Sequence, residues 1–417
     1  MRKGILLAAA LLLIPGISQA KSLEELLVEK GVITKSEARA SHHMGGAKVY
    51  WNNGTRIDFA DTGFTLRVNT QVQTRYEFTD VSDDNGLPNN NTSSFELSRA
   101  RLNFNGTALH EEFSYRLELE FSGGNDDGNA NAGDLVRDAW ISWHPCDGSA
   151  IRMGQQRVGL SRQYSTPFSH LQFADRSVAS EAFDRDRNTG LRLVQGLMDD
   201  KLVLTGAIFN GNSSVGTGAE ARNSQGVDTH HALEAGLRYD LMGSMNAFEE
   251  GDVGNTEEAA LNAGFTYYYS DDTSAALADD LEVHAISTDI NYKNGGISFH
   301  GEFFWESNET DTTTAVDSDA LGFYAQLGFF VMPKRAEIAL RYAYLDCDSG
   351  AVMDANCMSG SGALDQVQEV SATFNYYWWK HNLKAQAGYV FLNQEPVATG
   401  LDDENVNRWI LQISSYF

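Results

Sequence analysis

The chain has 417 residues, of which 42% are hydrophobic and only 6 are proline. After residue 20 it contains no run of 18 apolar residues, which excludes membrane-spanning helices from the mature chain. Its 31 Lys and Arg stand against 57 Asp and Glu, a formal net charge of −26. This excess of acid argues against a nucleic-acid partner, whose phosphates are bound through Lys and Arg.

The N-terminus has the pattern of a secretory signal peptide. Arg2 and Lys3 precede an apolar stretch at 5–14, and Ala20 ends a small-residue cleavage site. The apolar stretch is too short to span a bilayer as a helix. Residues 1–20 are therefore predicted to be removed on export, so that the mature chain begins at Lys21.

Residues 21–44 are predicted to form a short helical segment. Ser22 and Glu25 have the spacing of a capping box, and Leu23, Leu26 and Leu27 keep helical spacing. A linker at 45–60, rich in Gly and Asn, separates this segment from the rest of the chain. Two interpretations stay open, an oligomerising or cell-wall-side helix and a poorly ordered terminus.

Residues 61–417 alternate between apolar and polar side chains with a period of two. The pattern is clearest from Phe64 to Phe78, where one row is apolar or aromatic apart from two threonines and the other is polar or charged. Similar segments recur to the end of the chain and give sixteen strands, an even number as bacterial outer-membrane barrels have. The sequence thus predicts an all-β protein, a transmembrane antiparallel β-barrel of about 16 strands with a short N-terminal helix.

The connections between these strands support the same fold. Long polar connections alternate with short ones, as external loops alternate with periplasmic turns in outer-membrane barrels. The exception is the stretch 240–260, which is long where a short turn is due, so a miscounted strand there is an open alternative. Tyr and Trp gather at strand ends, and the chain closes on Phe417, like the terminal signal of such barrels. The predicted location is the bacterial outer membrane.

Cysteine and histidine give little support to metal or redox chemistry. Cys347 and Cys357 lie in one polar stretch, where a local disulfide in an oxidising compartment and two unbridged thiols are both open alternatives. Cys146 is interpreted as a buried bystander. No zinc-binding pattern is present in the sequence, and no cofactor is predicted.

Arginine dominates the polar row of the predicted strands, where lysine is nearly absent. Arginine pairs bidentately with phosphate and carboxylate oxygens, and rings of it at a constriction favour anions. The other interpretation is that these arginines neutralise acidic residues of the lumen in a general diffusion pore. The predicted pore-lining residues are Arg67, Arg75, Arg99, Arg101, Arg116, Arg152, Arg157, Arg162, Arg187, Arg192 and Arg238.

Successive motifs within residues 64–210 resemble those of the phosphate-selective porin O and P family. They are FELSRARLNFNG at 95–106, FSYRLE at 113–118, VRDAWI at 136–141, RMGQQR at 152–157 and NTGLRL at 188–193. The resemblance implies a trimeric sixteen-stranded barrel, an inward-folded third loop at about 156–188 and an arginine-lined anion path. Arg99 and Arg101 stand where the family has paired arginines, and Arg157 stands where it often has lysine.

Two other classes of function are weaker alternatives. An outer-membrane hydrolase needs a nucleophile and an oriented histidine, whereas the histidines here fall in predicted turns and loops and no GxSxG occurs. A barrel adhesin or structural protein could hold divalent cations against lipopolysaccharide through acidic loops, but the acidic clusters lack EF-hand spacing. The predicted partners are outer-membrane lipid, lipopolysaccharide, small anionic solutes and further copies of the chain in a homotrimer.

Overall fold

The computed structural model describes residues 47–59, 62–82, 91–122, 135–210, 230–274, 279–310, 318–347, 358–359, 362–398 and 400–417, with residues 28, 30 and 34. The predicted signal peptide, nearly all of the predicted helical segment at 21–44 and Cys357 lie outside these residues. The expectations for those segments therefore remain predictions.

Sixteen antiparallel strands close into one barrel. Each strand pairs with the next, and the last pairs with the first along Gln71–Ser82 and Asn405–Tyr416. The prediction of a sixteen-stranded barrel is confirmed. The barrel strands are β3 (Phe64–Ser82), β4 (Thr92–Ala108), β5 (Phe113–Glu120), β6 (Val136–Trp143), β7 (Ser149–Arg157), β8 (Arg187–Leu197), β9 (Leu202–Asn210), β10 (His231–Met242), β11 (Ala260–Ser274), β12 (Asp279–Asn294), β13 (Ile297–Thr310), β14 (Ser318–Met332), β15 (Ala336–Asp346), β17 (Gly362–Trp379), β18 (Leu383–Pro396) and β19 (Glu404–Tyr416).

Three further strands lie outside this count. β1 (Ala47–Trp51) and β2 (Thr55–Phe59) form a hairpin, and β2 pairs with the first residues of β3. β16 (Met358–Ser359) pairs with the start of β17. The β1–β2 hairpin therefore prolongs the barrel wall at the end where the chain terminates.

Side chains alternate across the wall in the opposite sense to a water-soluble protein. In β19, Leu411 and Ile413 are more than half exposed on the outside, while Gln412 between them is buried. In β3, Gln73 and Arg75 are likewise buried and Val72 is exposed. The apolar row faces hydrocarbon and the polar row faces the lumen, as the period-two pattern predicts.

The connections sort by length at the two ends of the barrel. Residues 109–112, 144–148, 198–201, 295–296, 333–335 and 380–382 are tight turns at the periplasmic end. The connections at the other end are longer, apart from the four residues between β11 and β12. Residues 243–259, here named the inner turn, are the exception at the periplasmic end. Met242 of β10 still pairs with Leu261 of β11. The long connection is therefore real, and the alternative of a miscounted strand is wrong.

Two short helices lie in the third loop, residues 158–186, here named L3. They are α1 (Arg162–Ser165) and α2 (Val178–Ala182), with a 3₁₀ turn at Phe168–His170 between them. None of the described helices is long and apolar enough to cross a membrane.

Aromatic side chains gather at the periplasmic rim. The rings of Trp51, Trp379 and Phe417 lie 5.9–6.2 Å apart, centroid to centroid, where the hairpin, β17 and the C-terminus meet. Amphipathic rings of this kind favour the boundary between membrane and water.

The two cysteines that the structure describes differ in state. Cys347, at the end of β15, is disulfide-bonded, and Cys357 lies outside the described residues. Cys146 is a free thiol, and the expectation that it is buried is wrong, because it lies exposed in the β6–β7 turn beyond the packed part of the barrel. Its Sγ lies 3.2 Å from the Ser149 hydroxyl.

Candidate functional site: the barrel lumen

The two sides of the barrel wall carry opposite charge. Strands β3–β8, here named the arginine wall, contain ten arginines, no lysine and six acidic residues. Strands β9–β19, here named the acidic wall, contain eighteen acidic residues and five Lys and Arg. Because the inward-facing residues of both walls share one lumen, the electric field runs across the channel.

L3 leaves β7 and returns to β8, yet it reaches the opposite wall. The Ser161 hydroxyl caps α1 by accepting a hydrogen bond from the Tyr164 amide at 3.0 Å. Glu302 of β13 accepts hydrogen bonds from the amides of Arg162 and Gln163 at 2.6 and 3.1 Å. A carboxylate of the acidic wall therefore satisfies the first free amides of the helix.

Gln172 is the centre of a second attachment. Its side-chain amide nitrogen donates to Glu337 Oε1 at 2.6 Å. Its backbone carbonyl accepts from the side chains of Asn375 and Gln386 at 2.9 and 2.8 Å. A side chain at Gly328 of β14 would collide with the Gln172 amide, which accounts for glycine at that position. L3 is thus bonded to several strands of the acidic wall.

Apolar contacts fix the far end of L3. Ala179 and Phe183 pack in a buried cluster with Phe304, Tyr324 and Leu345. The rings of Phe183 and Phe304 are stacked at 5.0 Å with an angle of 3° between their planes. This apolar cluster is inside the barrel, where sequence alternation predicts polar side chains.

Asp175 attaches L3 to the seam where β3 meets β19. Arg75 binds it bidentately at 2.9 and 3.0 Å, and Arg408 contacts it at 3.2 Å. Burial alone would raise the pKa of Asp175, but the Arg75 and Arg408 guanidiniums hold it well below its usual range. Asp175 is therefore ionised throughout the physiological range.

Three predicted pore arginines are buried in ion pairs. Arg101 pairs with Glu120 at 2.5 Å, Arg187 with Asp138 at 2.8 Å, and Arg192 with Glu234 at 2.8 Å. Each guanidinium charge is compensated by a carboxylate one or two strands away. These residues fit the interpretation in which arginine neutralises acidic residues of the lumen.

Arg162 has a different environment from the other predicted arginines. It is 2% exposed and donates to the Ala247 carbonyl at 3.1 Å and to the Tyr324 hydroxyl at 2.5 Å. Glu250 and Asp289 lie 3.8 and 3.7 Å away. Arg162 is thus enclosed between L3, the inner turn and the acidic wall.

Arg99 and Arg157 contact L3 through its aromatic residues and carbonyls. The Arg99 guanidinium lies over the Phe168 ring, and Arg176 lies 3.8 Å from the centroid of the same ring. Arg157 donates to the carbonyls of Tyr164 and Thr166 at 2.7 and 3.2 Å. L3 is packed against the arginine wall by cation–π and hydrogen-bond contacts.

The remaining predicted arginines are partly open to solvent. Arg116 binds Glu118 and lies 3.1 Å from Asp138, and the Arg152 guanidinium lies 4.0 Å from the Trp140 ring. The half-buried arginines of the prediction are Arg67, Arg116, Arg152, Arg157 and Arg238. Among the described residues, no carboxylate lies within ion-pair distance of Arg67, Arg152 or Arg157.

Strand register brings some of these side chains to one level. Arg67 is opposite Asn105, which is opposite Arg116, which is opposite Trp140. A cavity of about 290 Å³ at the periplasmic end is lined by Arg67, Asn105 and Trp140, together with Arg56. Positive charge and an indole ring therefore meet on the arginine wall below L3.

Four residues that organise the lumen were not predicted from sequence. The lumen-facing position of Trp140 could have been predicted, because Trp140 lies in the polar row of β6 between the lipid-facing Ala139 and Ile141. Phe168 and Gln172 of L3 and Glu250 of the inner turn lie in connections without periodicity. Sequence alone gives no signal for their direction.

Comparisons with known proteins agree with this architecture. Residues 68–413 match the family described as phosphate-selective porin O and P. The fold is similar to that of the anion-selective porin from Comamonas acidovorans, with 14% identity, a TM-score of 0.57, and 85% of this chain and 100% of that one covered. It is also similar to the outer membrane channel DcaP of Acinetobacter baumannii, with 15% identity, a TM-score of 0.57, and 85% and 98% covered.

One curated relative is also similar, an uncharacterised protein of Aquifex aeolicus that is 25% identical over 196 residues. That match covers 43% of this chain and 44% of the length of the relative. The match to the family is far broader and includes fourteen of the sixteen barrel strands entirely and most of the other two, β3 and β19. The chain therefore belongs to the phosphate-selective porin O and P family and is a porin of the bacterial outer membrane.

Proposed function

We propose that anions, phosphate among them, are favoured among the small hydrophilic solutes that diffuse through this porin. The observation that carries the proposal is the difference in exposure between the two charges of the lumen. Glu234, Glu302, Glu306, Glu337 and Glu369 of the acidic wall are all buried. Arg67, Arg116, Arg152 and Arg157 of the arginine wall are only half-buried.

Exposure decides which charges a passing ion experiences. A buried carboxylate that accepts hydrogen bonds from protein donors has its charge compensated locally, whereas a guanidinium in contact with water attracts anions and repels cations. Arg67 and Arg152 have no carboxylate partner among the described residues, so their charge is the least compensated. The proposal includes no catalytic step and no cofactor.

Neutralising these two arginines tests the proposal. We expect Arg67→Gln with Arg152→Gln to lower the Cl⁻ over K⁺ permeability ratio by about half, because two uncompensated positive charges leave the channel wall. The measurement is the reversal potential of the purified porin in planar bilayers under a KCl gradient.

Lys334→Gln with Arg335→Gln is the matched control, because both residues are exposed in a periplasmic turn and the pair removes the same two positive charges. The control should leave the reversal potential unchanged. A wild-type channel that prefers K⁺ would overturn the proposal and favour a general or weakly cation-selective pore, for which the eighteen acidic residues of the acidic wall are the supporting observation.

The assembly expected for the family is part of the same proposal. We propose a homotrimer in contact with outer-membrane lipid and lipopolysaccharide, supported by the family match and by the wide apolar outer face, on which Leu340 and Leu411 are 57% and 59% exposed. Native mass spectrometry of the detergent-extracted protein measures the number of chains. A monomer would contradict this part of the proposal.

A further inference from the structure

The inner turn, residues 243–259, folds back into the barrel. The other connections at the periplasmic end are tight, but in this one Glu250, Asp252 and Val253 are at most 1% exposed. A connection that only joined two strands outside the membrane would leave such side chains in water. The inner turn is therefore part of the packed interior of the lumen.

The inner turn is fixed to the wall at its base. Asp252 accepts hydrogen bonds from the Thr256 amide at 2.9 Å and from the Gly296 amide at 2.7 Å. Val253 is buried in a cluster with Phe330 and Tyr377. These contacts tie the segment to β14, to β17 and to the turn after β12, so its tip has a defined position.

Backbone geometry at the tip requires glycine. Gly251 has a φ of +67°, a conformation that is costly for other residues. A Cβ at this position would also lie 2.9 Å from Glu337 Oε1. Glycine therefore lets the chain turn close against the acidic wall.

The tip of the inner turn binds L3 through Glu250. Its carboxylate accepts hydrogen bonds from the Gln163 side chain and from the Gln172 amide, both at 2.9 Å. The backbone amide of Glu250 donates to the His170 carbonyl at 3.0 Å. Arg162 adds a bond to the Ala247 carbonyl at 3.1 Å. L3 is thus held from the periplasmic side as well as by the barrel wall.

L3, in turn, covers four carboxylates of the acidic wall. Glu302 accepts from the Arg162 and Gln163 amides, and Glu337 accepts from Gln172. Glu306 is bound by Arg185, and Glu369 accepts from the Val178 amide at 2.9 Å. All four carboxylates are buried. If L3 moved away, these negative charges would face the water path.

We propose that the inner turn is a specificity-determining element, and that Glu250 is the positioning residue that holds L3 over the acidic wall. This inference rests on the proposed anion preference. The inner turn keeps the carboxylates of Glu302, Glu306, Glu337 and Glu369 out of the aqueous path. Permeating ions are then exposed mainly to the arginine wall.

The test compares Glu250→Ala with the wild type in planar bilayers. We expect the single-channel conductance to rise by about twofold or more, because a displaced L3 leaves a wider water path. We also expect the reversal potential to shift toward cation preference. Both changes are needed, since a merely structural role of Glu250 would leave the reversal potential unmoved. Glu250→Gln keeps one acceptor oxygen and should give a smaller shift in the same direction.

Glu258→Ala is the matched control, because Glu258 lies in the same segment, carries the same charge and is exposed. Gly251→Ala is a second perturbation of the tip, for use if Glu250→Ala does not fold. An anion-selective wild type with unchanged conductance and selectivity in both variants would overturn the inference alone. A cation-selective wild type would overturn the proposed function, and a conductance rise in Glu250→Ala would then still support the contact between the inner turn and L3.

Discussion

Glu302→Ala should release L3 from the acidic wall. The substitution leaves the buried amides of Arg162 and Gln163 without an acceptor and removes one acceptor from the Ser287 hydroxyl, which donates to Glu302 at 2.9 Å. It also leaves the enclosed Arg162 charge with less compensation. Removing one partner of such a buried polar network costs about 3–5 kcal/mol. We expect that loss in the local stability of L3 and little change in the barrel strands.

Hydrogen exchange measured by mass spectrometry in detergent micelles is the readout. A loss of about 3 kcal/mol raises the exchange of the L3 amides by about 100-fold if they exchange through local opening. Peptides from β13 and β14 should keep their protection, because strand pairing is untouched. Glu302→Gln, which retains one acceptor oxygen, should give an intermediate effect.

Glu309→Ala on the same strand is the control, because Glu309 is exposed and the same charge is removed. It should leave the exchange of L3 at the wild-type rate. Unchanged exchange of L3 in Glu302→Ala would show that the hydrogen bonds from the Arg162 and Gln163 amides to Glu302 do not hold the loop.

The barrel itself was predictable because each strand has one face in contact with lipid and the other in contact with water. A lipid-facing and a water-facing row leave a period of two in the sequence, and in β3 and β19 this period identifies the buried Gln73 and Gln412 correctly. The pairing of β19 with β3 then follows, since a sheet in hydrocarbon has to close.

Which arginines are free was not predictable from alternation. The period of two predicts that Arg101 lies on the lumen face of β4. Its pairing with Glu120 depends on the register of β4 against β5. Arg75 pairs with Glu77 and Glu96, and also with Asp175, which lies one hundred residues away in L3. Local sequence carries no information about such a pair.

The inner turn shows the same limit for connections. Its length was visible in the sequence as an exception to the alternation of long and short segments. Its direction depends on contacts such as Glu250 with Gln172, which join two aperiodic segments. Length alone could not distinguish an inward fold from a missing strand.

Acidification should weaken the contact between L3 and the periplasmic turn at 380–382. His170 of L3 lies 5.0 Å from His381, ring centroid to centroid, and 6.4 Å from Tyr416. Burial, with smaller contributions from Lys384 and Lys293, lowers the pKa of His170 to about 4. The pKa of His381 is lowered for the same reasons, burial first and then Lys384 and His170.

Because the pKa values of His170 and His381 are lowered, acid destabilises this contact. A histidine with a folded-state pKa below its unfolded value of about 6.5 is favoured in its neutral form by folding. Its contribution to stability is complete above pH 6.5 or so and is lost as the pH falls toward the folded-state value. For His170 the difference corresponds to about 3 kcal/mol. This loss of stability should appear in the amides next to His170. Lys384 is close to them, because it donates to the Leu171 carbonyl at 2.5 Å.

The measurement is the protection factor of the amides at 169–172, corrected for the intrinsic exchange rate at each pH. We expect protection to fall by about 100-fold between pH 7 and pH 4 in the wild type and to stay nearly flat in His170→Gln with His381→Gln, which cannot gain protons. His144→Gln, in another periplasmic turn, should behave as the wild type. Equal pH dependence in the double variant would assign the effect to other groups, because the neutral amides remove both buried imidazoles while leaving Lys293 and Lys384 in place.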